Sequence, residues 1–198
     1  MKRITFLQNT AAVLAGSLLP SKSFSAQNKG GKIRFAHLTD IHIKPELTAE
    51  RGMAKAFHHA QSMKPSVDFI INGGDSIWDS LDADKQKTQA QWDLFHSILK
   101  KENSLPVYHC IGNHDVWGWF LKNDKPEADK LYGKQWVVET LKLPRRYYSF
   151  TKNKWHFIIL DSTQLNPAGG YIAYIDPEQL SWLKEELEKS KDKFICIV

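Results

Sequence analysis

Gly112-Asn113-His114-Asp115 follows directly on the apolar run of residues 106–111, and the reading of this stretch decides the fold. A strand that stops at a glycine, an amide, an imidazole and a carboxylate delivers three polar side chains to one end of a sheet, where open α/β sheets bind their ligands. Two earlier stretches end in the same way. Residues 33–39 run into Asp40-Ile41-His42, and residues 67–72 run into Gly73-Gly74-Asp75. Three strand ends carrying Asp, His, Asp, Asn and His predict one metal site assembled from separate parts of the chain.

The segments between these strands have helical period. Met53, Ala56, Phe57, Ala60 and Met63 recur at three- and four-residue spacing and predict a helix over 46–63, closed before Pro65. Trp92, Phe95, Ile98 and Leu99 make one face of a second helix over 86–102. Residues 116–127, with Trp117, Gly118, Trp119, Phe120 and Pro126, suit a structured surface loop, and a helix is expected over 128–141. Two aromatic runs, 147–150 and 155–160, flank Thr151-Lys152-Asn153-Lys154 and predict a hairpin. Asp176 as N-cap and Pro177 at the first helical position start a helix reaching about residue 190, and 194–198 read as a last strand. Strand and helix in alternation define an α/β domain, a sheet covered by helices with some antiparallel pairing from the hairpin.

The 198 residues, 42% hydrophobic, are enough for one substantial core. Residues 1–25 have a basic start, an apolar centre over 11–19, then Pro20 and small residues, the order of a signal peptide for export to the periplasm or medium. Residues 26–32 read as a linker. Without Lys2, Arg3 and Lys22 the formal charge of +5 falls to +2, with 24 basic against 22 acidic side chains. Such balance does not predict a nucleic-acid groove, which needs clustered Lys and Arg. No other segment is long enough to span a membrane. Cys110 and Cys196 each sit inside an apolar run and are expected to stay unpaired. Oligomeric state has no signature here.

At the strand ends, Asp40 and His42 stand two apart, so in extended backbone they project to one side and can grip one ion. Asp75 follows two glycines that permit a tight turn into a crowded site. Asn113 adds a neutral amide oxygen. Each of these residues is alone an ordinary turn former; the set of carboxylate, imidazole and amide without a thiolate suits Mn, Fe or Zn.

In this order, Asp40-Ile41-His42, Gly74-Asp75 and Gly112-Asn113-His114-Asp115 resemble the calcineurin-like metallophosphoesterase family, and within it the cyclic-nucleotide phosphodiesterase branch. The resemblance covers nearly everything from residue 33 onward. It implies a layered sandwich of mixed β-sheet flanked by helices. It also implies that Asp40 and His42 bind a first metal, that Asp75 bridges two and that Asn113 binds the second. His114 would contact the phosphate or protonate the leaving oxygen, with Asp115 holding its ring. The implied reaction is hydrolysis of a small phosphate ester, diester or monoester, by a hydroxide shared between two divalent ions roughly 3.5 to 4 Å apart.

Two departures from the family pattern stand out. Trp78 lies three residues beyond Asp75, where purple acid phosphatases carry a tyrosine for ferric iron, so no ferric-tyrosinate centre is expected. The later histidine and the Gly-His-x-His segment that complete the family's site do not occur in the 198 residues, so 33–198 read as the N-terminal portion of a longer phosphoesterase domain whose C-terminal part is missing. Weak metal retention is the corresponding expectation. A non-catalytic scaffold of the same fold, or a nucleotidase or nuclease, are the competing readings.

Bland roles are expected elsewhere. His37, His58, His59, His96, His109 and His156 lie inside helices or strands and read as structural. Asp161 is a strand-end carboxylate without a motif. Lys44, Arg145 and Arg146 read as solvated charge, and Trp78, Trp117, Trp119 and Phe120 either floor a pocket or pack loops.

Overall fold

Phe69-Ile70-Ile71-Asn72 is buried along its whole length, which requires a strand covered on both faces. In the computed structural model, which describes residues 32–122 and 126–198, it is the middle of three parallel strands. These are β1 (Phe35–Leu38), β2 (Phe69–Asn72) and β3 (Val107–His109), paired so that Leu38 meets Asn72 and Asn72 meets His109. The proposed signal peptide and most of the linker lie outside the described residues.

Side-chain alternation sorts β2 between two cores. Ile70 joins Met53, Phe57 and Ala60 of α1 (Leu47–Ser62) and Trp92, Phe95 and Ile98 of α2 (Lys85–Glu102). Phe69 and Ile71 point the other way, onto Phe157 and Ile159 of a second sheet. That sheet holds β4 (Tyr148–Lys152), β5 (Trp155–Ile159) and, after the elements described next, β8 (Phe194–Ile197). The hairpin therefore does not extend the first sheet, as its sequence suggests. It builds a second one, with β5 antiparallel to β4 and parallel to β8, because its apolar side chains stack on β2 rather than its edge pairing with β3. The Tyr148 hydroxyl covers the β3 edge instead, accepting from the His109 amide and donating to the His109 carbonyl, each at 2.9 Å.

Between β5 and β8 run β6 (Thr163–Leu165), β7 (Tyr171–Ala173) and α4 (Pro177–Lys189). Helix α4 starts as expected, with the Asp176 carboxylate accepting from the Gln179 amide at 3.0 Å. It covers the outer face of the second sheet, where Glu186 accepts from Ser149 and pairs with the buried His156 at 3.0 Å. The order helix, sheet, sheet, helix is the layered sandwich of the sequence reading. Among the described residues no helix is long and apolar enough to cross a membrane.

Two local readings change. The helix expected over 128–141 is only α3 (Lys134–Thr140), preceded by a one-turn 3-10 helix at Pro126–Ala128. Gly133 stops it: with φ of 66° it exchanges backbone hydrogen bonds with Trp117 instead of continuing a helix. The β6–β7 hairpin is absent from the sequence reading, because strands of three residues carry too little alternation. Its one signal is the turn composition Asn166-Pro167-Ala168-Gly169-Gly170.

Candidate metal centre

The register of β1, β2 and β3 brings their C-terminal ends level, so the three motif loops leave the sheet side by side. The first two loops stay hydrogen-bonded beyond the strands. Asp40 N donates to Gly74 O at 3.2 Å, His42 N to Asp75 O at 2.9 Å and Ile43 N to Ser76 O at 3.1 Å. Within these loops Asp40, His42 and Asp75 all have left-handed backbone, with φ of 55°, 46° and 52°. Non-glycine residues hold that conformation at a cost of order 1 kcal/mol or more each, so it persists only where surrounding bonds enforce it. Asp40 and His42 thus come together not through the alternation of an extended strand but through two left-handed residues flanking Ile41. Two glycines let the loops close. A Cβ on Gly74 would lie 2.6 Å from the Gly112 amide nitrogen, and one on Gly112 would overlap the Asp75 carboxylate and amide.

The side chains then converge. His42, Asp75 and His114 offer ligand atoms all within 4.8 Å of one another. His42 Nε2 lies 3.7 Å from Asp40 Oδ1 and 3.8 Å from Asp75 Oδ2, while its Nδ1 is 3.3 Å from the Trp78 carbonyl. A carbonyl only accepts, so Nδ1 carries the proton and, in the neutral ring, Nε2 turns a lone pair toward two carboxylates. The distances are too long for hydrogen bonds, and in that neutral tautomer the lone pair and the carboxylates repel unless a cation lies between. That observation fits the residues to a divalent metal, and the Trp78 carbonyl plays the orienting part that metal-binding histidines require. The remaining oxygens are occupied: Thr39 Oγ1 donates to Asp40 Oδ2 at 2.7 Å, and His114 N donates to Asp75 Oδ1 at 2.9 Å. Asn113 opens the 3-10 turn Asn113–Asp115 beside Asp75, half-buried, and its amide makes no hydrogen bond among the described residues.

Asp115 does not hold the His114 ring. It is fully buried, and its oxygens accept from the amides of Ser76 (2.8 Å), Ile77 (3.3 Å) and Gly112 (3.0 Å), clamping the second loop to the third. Burial pushes its carboxyl up to about 7, against the pull of those amides. The carboxylate facing the ring is Asp79, whose Oδ1 lies 3.4 Å from His114 Nδ1. The pair is within ionic reach without hydrogen-bond alignment, since Nδ1 is buried and otherwise unpartnered. Burial also raises the Asp79 carboxyl above its usual range. Sequence reasoning missed this residue; its only signal was a second aspartate four positions after Asp75. Ser80, next along, fixes the His114 carbonyl through its amide (3.0 Å) and hydroxyl (2.7 Å).

The other singled-out residues divide clearly. Trp117 is core, packed on Trp136 with its indole donating to Ala83 O, and Trp119 lies against the same cluster. Phe120 is half-exposed against Tyr171. Arg146 is not solvated surface charge: it pairs with Asp161 (3.3 Å), Asp176 (2.6 Å) and Glu178 (3.6 Å). Asp161 is structural, wholly buried and bound by Lys134 at 2.5 Å as well. His109 is buried and held neutral, its pKa driven down to about 4 by desolvation. Both cysteines are unpaired, and burial pushes the Cys110 thiol up to about 12.

The sequence model described as calcineurin-like phosphoesterase matches residues 33–197, and the protein belongs to that family. It is similar to a Colwellia psychrerythraea protein named as a cyclic nucleotide phosphodiesterase, with 22% identity over 174 residues, 83% of this chain and 56% of the relative. A Caenorhabditis elegans protein named as a metallophosphoesterase is 29% identical over 129 residues, 60% of this chain and 23% of that one. The chain therefore spans 56% and 23% of the length of these curated relatives. Among solved structures it is similar to a phosphopantetheinyl hydrolase from Mycobacterium tuberculosis, with a TM-score of 0.39 and 16% identity, covering 79% of this chain and 52% of that chain.

Proposed function

We propose that the protein hydrolyses phosphoric esters with the help of two divalent metal ions held by Asp40, His42, Asp75 and Asn113. The observation that carries this is the His42 Nε2 lone pair facing two carboxylates 3.7 and 3.8 Å away, beside His114. Bound divalent ions supply positive charge for the phosphoryl oxygens and activate water for in-line attack. The chain's own residues bind and orient. Asp75 divides its oxygens, one fixed by the His114 amide and one free toward His42. His114, its Nδ1 buried against Asp79, presents Nε2 as the atom that holds or moves a proton at the leaving oxygen. Asp79 rather than Asp115 stabilises that ring when it is protonated. The name of the Colwellia relative supports a phosphodiester over a monoester.

Hydrolysis of a diaryl and a monoaryl phosphate with added Mn, Fe or Zn tests the reading, alongside elemental analysis of the purified protein. Metal-dependent turnover that disappears in Asp75→Asn is expected. Full turnover in that variant would overturn the assigned role of Asp75, and a protein that holds no metal and cleaves neither ester would favour a scaffold. We also propose export: residues 1–25 have the layout of a signal peptide, and sequencing of the mature protein should start near Ala26.

A further inference from the structure

Of the tryptophans in the described chain, Trp92, Trp117 and Trp136 are at most 4% exposed, whereas Trp78 is 50% exposed and belongs to neither core cluster. Trp78 is nevertheless held firmly. Its amide donates to Ile43 O at 2.9 Å, its carbonyl accepts from His42 Nδ1, and the Lys44 ammonium sits 4.1 Å from the ring centroid while pairing with Glu46 at 2.9 Å. The indole centroid is 5.8 Å from that of the His42 imidazole, edge to face. A rigid indole, half open and one ring away from a candidate metal ligand, presents solvent-facing aromatic surface beside the site.

Resting on the phosphoesterase reading, we infer that Trp78 is a specificity-determining residue that stacks a planar ring carried by the substrate. The substrate class is then a phosphate ester bearing an aryl group or nucleobase, in preference to one with only sugar or alkyl substituents. Indole stacks on any flat ring through dispersion and its quadrupole, so the preference is for planarity, not for one base. Lys44, its charge offset by Glu46, presets the ring from one face. The backbone of Trp78 orients His42, so a ring stacked on the indole is registered directly against the metal ligand.

Two product-like probes separate the ring from the phosphate: adenosine monophosphate, and ribose phosphate, which lacks the base. In the protein with Mn, adenosine monophosphate should quench tryptophan emission and bind at least about tenfold more tightly than ribose phosphate. Trp78→Ala should remove that advantage, costing adenosine monophosphate far more affinity than ribose phosphate, while Trp78→Phe should keep most of it. Equal affinities in the wild type, equal loss for both probes in Trp78→Ala, or no change in either would overturn the assignment. The phosphoesterase reading is tested separately, by whether ribose phosphate binding needs Mn and fails in Asp75→Asn.

Discussion

Asp75 and Asp161 are both aspartates at the exit of a buried strand, and the protein treats them in opposite ways. Asp161 meets Lys134 and Arg146, accepts the Thr163 amide, and its backbone is bonded to the Gln179 side chain. Its charge is compensated within the chain. Asp75 has one oxygen satisfied by a backbone amide and the other turned to an imidazole 3.8 Å away. Its compensation must come from outside. A buried carboxylate with its own cations is part of the scaffold, and one paired only with further ligand groups is part of a site.

The sharpest break of this comparison is Asp75→Asn. It should lower metal affinity by at least about a hundredfold, seen by competition with a chelating dye, with little change in folding stability. Asp161→Ala should do the reverse. Removing it strands Lys134 without its carboxylate partner, whereas Arg146 keeps Asp176, and should cost about 3 to 5 kcal/mol in denaturant unfolding while any folded fraction keeps its metal affinity. Equal behaviour of the two variants would erase the distinction. Saturating Mn, at about a hundred times its dissociation constant, should stabilise the wild type by about 2.7 kcal/mol and leave Asp75→Asn unmoved in thermal melts. Gly112→Ala places a methyl group into the Asp75 carboxylate and should weaken metal binding without removing any ligand.

The smallest effect concerns pH. The hydrogen bond from Arg146 holds the Asp176 carboxyl below its usual 3.8. A depressed folded pKa means stability present above the unfolded value and lost as pH falls from 3.8 through the lower folded value. Asp176→Asn should flatten that acid limb of the stability curve by lowering stability at neutral pH, with the variant and the wild type converging at low pH.

Much of this was legible in advance, for identifiable reasons. Apolar period marked α1, α2 and the buried strands, and Asp176-Pro177 announced α4 by local capping chemistry that needs no partner. Asp40, His42, Asp75 and His114 could be singled out because they follow strands that end abruptly. The β6–β7 hairpin and the short α3 were not legible, since three-residue strands carry almost no periodicity and Gly133 breaks a helix only because Trp117 is there to bond it. Asp115 illustrates the same limit. Adjacent to His114 in sequence, it turns its carboxylate into the interior, and the ring is served by Asp79, thirty-five positions earlier.

The order of residues by itself determined where strands stop and which polar groups wait there, because those depend on hydrophobic period and turn chemistry over a few neighbours. Only the tertiary structure decided which carboxylate faces which imidazole, which charges are buried with partners and which tryptophan stays in solvent. Those outcomes depend on the register of parallel strands and the stacking of two sheets, which juxtapose groups far apart along the chain through contacts that no local pattern encodes.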